Sequence, residues 1–132
     1  MAIIKFKKLR FDAKSPDSLG NKFDIHVVET YTINYLTPIL IKTGLYLEMS
    51  NDYKLHIDMD RIIVEKYGLT FFENTYGLEN NKGELCFVVL KLRQGSCTIN
   101  KNTKLASAFI FKLEKIKFME EDPLLEIIQK EK

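Results

Sequence analysis

The sequence has few of the residues that build metal centres and disulfide frameworks. It contains two cysteines, Cys86 and Cys97, and two histidines, His26 and His56. Two cysteines make neither a disulfide framework nor a zinc site, and the sequence has no cluster of histidine and cysteine. Cys86 lies in an apolar run over 85–90, so we expect it to be a small core residue.

Long apolar runs and a strong charge of one sign are also missing. No apolar stretch approaches the ~18 residues that a membrane-spanning helix needs, and the first residues show no signal-peptide pattern. The formal net charge of +2 is too small to argue for nucleic-acid binding, and the basic stretch Lys5–Arg10 is predicted to be a solvated strand edge. We therefore expect an intracellular protein, cytoplasmic or, if viral, also nuclear in its host, with no membrane or nucleic-acid partner.

The residues that are present predict one all-β domain. The 132 residues are 45% hydrophobic, which is enough for a substantial core. Many short apolar segments separated by turns predict an antiparallel sandwich or barrel. The clearest strand is Tyr53–Met59, where apolar and polar residues alternate. Other expected strands are Pro38–Thr43 and Leu45–Met49, broken at Gly44, the short apolar segments Arg61–Val64 and Leu69–Phe72, a central Glu84–Leu92, and Lys104–Ile116 with Leu105, Phe109, Phe111 and Leu113 on one face.

The last residues change from a period of 2 to a period of 3.6. Asp122 suits a helix N-cap, and Pro123 suits the first helical position. An apolar stripe at helical spacing then predicts one short amphipathic helix, which must dock on the chain itself, on a neighbouring subunit or on a partner because it is too short to be stable alone. We divide the chain into a β-domain, 1–117, and a tail, 118–132. The stripe consists of Leu124, Leu125, Ile127 and Ile128.

Five segments resemble, in order and spacing, the scaffold of the trimeric all-β dUTPases. They are Asp24-Ile25, Lys42-Thr43-Gly44-Leu45, Tyr67-Gly68-Leu69-Thr70, Lys82-Gly83-Glu84-Leu85 and Asn102-Thr103-Lys104-Leu105-Ala106-Ser107. The resemblance covers about 3–116. It implies a dUTPase-like jelly-roll β-barrel, a homotrimer with active sites between subunits, and Mg²⁺ that bridges substrate phosphates.

Most positions that carry the chemistry of that family differ here. Asp24 matches the aspartate that helps to hold the metal. In the second motif, Pro-Arg-Ser-Gly has become Met59-Asp60-Arg61-Ile62, so the serine and glycine are lost and Asp60 would repel a triphosphate. Arg61 is either a compensating phosphate contact or an ordinary surface cation.

The third, fourth and fifth motifs are also altered. Counting back from Gly83 places Leu78 at the catalytic aspartate, whereas counting forward from Gly77 offers Glu79 as the general base. Glu79 is otherwise an exposed loop carboxylate. Ser107 replaces the glutamine of the fourth motif, and no glycine follows Gly95 to form the family's glycine-rich closing arm.

Three functions remain open at this point. The first is a catalytically inactive, dUTPase-like binding or regulatory protein, such as a pseudoenzyme of a large DNA virus, which needs no cofactor and whose apolar stripe binds an unknown protein. The second is a divergent Mg²⁺-dependent nucleotide phosphohydrolase that uses Asp24, Glu79 and Arg61 for metal, base and phosphate. The third is a structural or virion subunit. The resemblance also suggests that Phe87, Val89 and Leu113 are buried along a threefold axis.

Overall fold

A computed structural model describes residues 3–16, 20–72 and 81–124 and shows an all-β fold with one short helix. Glu79, Leu125, Ile127 and Ile128 lie outside these described residues, as do Leu78 and Gly77. The described elements are β1 Lys5–Lys8, β2 Lys22–His26, β3 Tyr31–Asn34, β4 Ile39–Glu48, β5 Tyr53–Met59, α1 Arg61–Tyr67, β6 Leu69–Phe71, β7 Lys82–Lys91, β8 Ser96–Ile99 and β9 Lys104–Lys112.

The strands form three antiparallel sheets around one core. The orders are β1-β4-β7-β6, β2-β9-β5 and β3-β8. On β7 the inward side chains of Leu85, Phe87 and Val89 are at most 1% exposed, which confirms the expected central strand. The alternate residue Cys86 is half-buried rather than a core residue, and burial raises the pKa of its thiol.

The two strands expected on either side of Gly44 are one continuous strand, β4. Its pairing with β7 shifts register between Lys42 and Tyr46, and Gly44 adopts a left-handed conformation with φ +71°. A glycine in a strand often marks such a bulge, where the chain bends without ending the strand. The break predicted at Gly44 is therefore wrong, although Gly44 does mark an irregularity.

The face predicted for β9 is also wrong beyond Leu105. Ile25 pairs with Ala106 but His26 pairs with Lys104, so Leu105 is an extra residue at a bulge, and it is buried together with Ala106. A slip of one residue reverses which side chains face the core. Phe111 and Leu113 are consequently 45% and 47% exposed, and the strand ends at Lys112, not at Ile116.

Residues 61–67 form a helix where short apolar strand-like segments were expected. Asp60 is its N-cap, and Gly68 ends it in the left-handed conformation. Arg93 stabilises the same end, because its guanidinium donates hydrogen bonds to the carbonyl oxygens of Glu65 and Lys66 at 3.0 and 2.9 Å. A seven-residue helix is too short for its 3.6 period to stand out in the sequence.

Two further expectations concern subunit contacts and the tail. Phe87 and Val89 lie in the core of a single chain, so the expectation of a threefold contact is wrong for these two residues. Leu113 is 47% exposed, and its place at a threefold contact stays a prediction. Asp122 accepts a hydrogen bond from the amide of Leu124 at 2.9 Å, as an N-cap would. Leu124 is 71% exposed.

No helix among the described residues is long and apolar enough to span a bilayer.

Candidate functional site at the end of the three-stranded sheet

One row of polar side chains crosses the exposed face of the sheet β2-β9-β5. Asp24 on β2 pairs with Ser107 on β9, and Ser107 pairs with Asp58 on β5. The Ser107 hydroxyl lies 3.5 Å from Asp24 Oδ1. Since neighbouring strands are about 4.8 Å apart, the row places a carboxylate on each side of Ser107.

Lys104 and Asp60 lie beside this row. The amide of Asp60 donates to the carbonyl oxygen of Leu105 at 2.8 Å, which ties the start of α1 to β9. The Lys104 ammonium is 3.4 Å from Asp24 Oδ1 and 3.8 Å from Asp60 Oδ2. Residues from three separated segments of the chain therefore meet in one place. Sequence reasoning missed Lys104, although it stands where the fourth family motif has an arginine.

The amide at the start of α1 is already bound by the chain itself. Asp60 Oδ1 accepts a hydrogen bond from the amide of Ile62 at 2.9 Å. The second dUTPase motif uses a serine and a glycine here to grip phosphate, whereas this chain offers a capped amide and a carboxylate. An anion that approached this helix end would have to overcome the charge of Asp60.

Arg61, the predicted phosphate contact, lies on the outer side of α1. Its guanidinium Nε donates to Glu65 Oε1 at 2.8 Å, and its side chain is 89% exposed. An exposed pair with i,i+4 spacing contributes only about 0.3–0.5 kcal/mol to stability. The pairing with Glu65 therefore does little to hold Arg61 away from a bound anion.

His26 borders the cluster from β2. It pairs with Lys104 across the strands, and its buried Nδ1 has no hydrogen-bond partner among the described residues. Burial lowers the pKa of His26, and the charges of Lys14 and Lys104 lower it further while Asp24 opposes them. The lowered pKa favours the neutral form of the imidazole beside the Asp24–Lys104 pair.

The site offers an incomplete set of ligands for Mg²⁺. Within 3–16, 20–72 and 81–124, no three His, Cys, Asp or Glu side chains are grouped closely enough to hold an ion. Asp24 supplies one carboxylate. Mg²⁺ is commonly bound by one or two carboxylates together with substrate phosphates. The residues fit an ion that is bound jointly by Asp24 and a nucleotide.

A mainly apolar cavity of about 570 Å³ lies next to the row of polar side chains. It opens between the end of β5, the helix α1 and β6. Asp58 belongs both to this cavity and to the row with Ser107, so the two features are continuous. The other lining side chains include Met59, Val64, Leu69, Phe71 and Leu92.

No protein-family model matches the chain. The chain is 28% identical over 109 residues to the deoxyuridine 5'-triphosphate nucleotidohydrolase of Fusobacterium nucleatum, an alignment that covers 81% of this chain and 74% of that enzyme. This is a dUTPase-like protein. The alignment with this enzyme thus covers most of the part of the chain in which the five dUTPase-like segments lie.

Solved dUTPases have the same fold at low sequence identity. A mutant dUTPase from phage phi11 of Staphylococcus aureus, studied for its structural Mg(II) ion, aligns with a TM-score of 0.72 and 14% identity over 92% of this chain and 97% of that one. A mutant dUTPase of Staphylococcus bacteriophage 80alpha with dUpNHpp gives 0.70 and 16% over 93% and 91%. The dUTPase-like protein therefore has the all-β dUTPase fold.

Proposed function

We propose that the dUTPase-like protein is a divergent Mg²⁺-dependent nucleotidohydrolase that acts on dUTP. The observation that carries the proposal is the meeting of Asp24, Ser107 and the Asp60–Arg61 segment, which come from three different motifs, at one end of one sheet. The Fusobacterium relative supports the same reading, because it is named for this activity. The comparisons therefore favour the enzymatic alternative over the inactive scaffold that the sequence motifs suggested.

Each residue of the cluster has a proposed role. Asp24 holds Mg²⁺ together with the substrate phosphates, and the bound ion supplies positive charge that offsets charge developing on the phosphoryl oxygens. Lys104 and Arg61 contact phosphate oxygens, and the hydroxyl of Ser107 keeps Asp24 oriented. Glu79, outside the described residues, is the proposed base that takes a proton from the attacking water.

The proposal includes assembly as a homotrimer, as the resemblance to the dUTPase family implies. Asp24, Ser107, Lys104 and Asp60 would then be one chain's share of a site completed by other chains. Light scattering after size-exclusion chromatography checks this directly. A mass of three chains supports the proposal, and a monomer would contradict this part of it.

Release of pyrophosphate from dUTP in the presence of Mg²⁺ tests the activity. We expect turnover by the native protein and a loss of at least about tenfold in Asp24→Asn and Glu79→Gln, which keep the size of each side chain but remove its charge. Asp52→Asn is the matched control: Asp52 lies in the turn before β5, about 20 Å along that strand from Asp58. We expect native turnover from this control.

The inactive scaffold is the second candidate, and the Asp60 cap favours it. A carboxylate bound to the helix amide occupies the place where the dUTPase motif grips phosphate. The absence of pyrophosphate release from a folded, homogeneous protein, with no saturable binding of dUpNHpp, would establish this candidate and reject the enzymatic proposal. The apolar stripe from Leu124 to Ile128 would then be the first surface to test for a protein partner.

A further inference from the structure

One ammonium group is shared by two carboxylates at the candidate site. The Nζ atom of Lys104 lies 3.4 Å from Asp24 and 3.8 Å from Asp60. The side chain of Asp60 is only 19% exposed, whereas Lys104 and Asp24 are 39% and 48% exposed. The pair of carboxylates is thus accessible from solvent on the side where the lysine approaches.

Contacts that do not involve Lys104 hold the two carboxylates in place. Asp60 is tied through its Oδ1 to the amide of Ile62 and through its own amide to Leu105. Asp24 lies within the paired strands β2 and β9, next to the Ser107 hydroxyl. These contacts leave Asp60 Oδ2 and Asp24 Oδ1 facing a common cation. In this structure that cation is the ammonium of Lys104.

A divalent ion competes with this ammonium for the same oxygen of Asp24. Two cations within a few ångströms of one carboxylate oxygen repel each other, and the repulsion is strongest where the pair is partly shielded from water. Lys104 is attached to the protein and is therefore always present at the site. A free ion has to displace it, whereas no such competition exists at a carboxylate without a lysine.

We propose that Lys104 excludes free divalent cations from Asp24 and Asp60, so that metal reaches Asp24 only as a complex with nucleotide phosphates. The phosphates give the ammonium a new anionic partner, and the long, flexible stem of lysine lets it move to them. The part about nucleotide rests on the proposed function. The exclusion of free metal rests on the geometry alone and is measured without nucleotide.

Titration of the nucleotide-free protein with Mn²⁺, followed by electron paramagnetic resonance of the unbound ion, tests the exclusion. We expect weak binding by the native protein and at least tenfold tighter binding by Lys104→Met, which keeps an unbranched side chain of similar shape and removes its charge. Lys104→Arg restores a cation and should return the affinity to the native level. Lys54→Met removes one positive charge from the same sheet face on β5, away from the cluster, and should leave Mn²⁺ binding at the native level.

The double variant Lys104→Met/Asp24→Asn decides whether the additional Mn²⁺ ion binds at Asp24. We expect it to lose the additional Mn²⁺ affinity. Unchanged binding in Lys104→Met, or a gain that persists after Asp24→Asn, would overturn the proposal, provided that circular dichroism shows the native fold. Because this experiment measures no turnover, its failure is distinguishable from a failure of the dUTP hydrolysis assay.

Discussion

The hydroxyl of Thr43 donates a hydrogen bond to the carbonyl oxygen of Leu85 at 2.6 Å. The hydroxyl oxygen of Thr43 in turn accepts a hydrogen bond from the amide of Leu45 at 3.2 Å. Both bonds lie where β4 and β7 change register, and Thr43 is 2% exposed. The side chain of Thr43 therefore replaces two backbone partners that the regular strand pairing does not supply at this bulge.

Thr43→Val tests this role because valine has nearly the same shape and lacks the hydroxyl. The carbonyl of Leu85 and the amide of Leu45 would be buried without a partner, so we expect a loss of about 1–3 kcal/mol in the free energy of unfolding. Urea denaturation followed by circular dichroism measures it. Thr98→Val on the exposed side of β8 is the control and should change stability by less than about 0.5 kcal/mol.

Gly68 is the second position where a single methyl group should be costly. It has φ +67°, and a Cβ atom there would lie 2.9 Å from Cβ of Arg93. Gly95 also has a positive φ, +89°, but no heavy atom within 4 Å of such a Cβ. Gly95→Ala therefore measures backbone strain alone, about 1–2 kcal/mol, and Gly68→Ala should lose more. Equal losses in thermal unfolding would show that Arg93 yields without cost.

Strand Tyr53–Met59 shows what the sequence can predict and β9 shows what it cannot. The alternation along β5 is regular, and its predicted bounds are confirmed. The faces of β9 depend on the bulge opposite His26, which arises from pairing with a segment about 80 residues away along the sequence. Local periodicity does not contain that information, so the side chains from Phe109 to Leu113 were assigned to the wrong face.

The candidate site divides in a similar way. The resemblance pointed to Asp24 and Ser107 individually, and the structure places them in contact. The bridge from Lys104 to Asp60 was not foreseen, because the family pattern has an arginine where this chain has Asp60. A reversal of charge at one position creates a new ion pair only when a cation lies nearby in space. Neither residue alone indicates that pair in the sequence.

His26 should make the stability of the protein depend on pH. Burial lowers its pKa in the folded chain, whereas the unfolded chain has the ordinary value of about 6.5. Above this value both states are neutral and the folded protein has its full stability. As the pH falls below about 6.5, the unfolded chain takes up the proton first, so stability is lost until the pH passes the folded pKa.

This effect is checked by measuring the thermal unfolding temperature of the native protein and of His26→Gln from about pH 7.5 to about pH 5, in steps of about half a pH unit. We expect the variant to lose less stability than the native protein on acidification. His26→Leu, which also removes the imidazole but adds no polar group, should show the same reduced loss as His26→Gln. Parallel curves for native protein and His26→Gln would contradict the assignment to His26.

Asp60 caps α1 beside the proposed phosphate site, and two substitutions separate its contribution to stability from its effect on nucleotide binding. Asn caps a helix about as well as Asp, whereas Ala loses about 1 kcal/mol. Asp60→Asn should therefore keep the native unfolding temperature while removing a negative charge beside the proposed phosphate site. Removal of that repulsion is expected to strengthen binding of dUpNHpp by about 1 kcal/mol, roughly fivefold. Isothermal titration calorimetry measures the gain in affinity, with Asp52→Asn as the control for charge.

Weaker binding of dUpNHpp by a stable Asp60→Asn protein would contradict this expectation. It would mean that Asp60 assists nucleotide binding, directly or by holding Lys104 in place, and that the carboxylate at this helix end is an adaptation of the site.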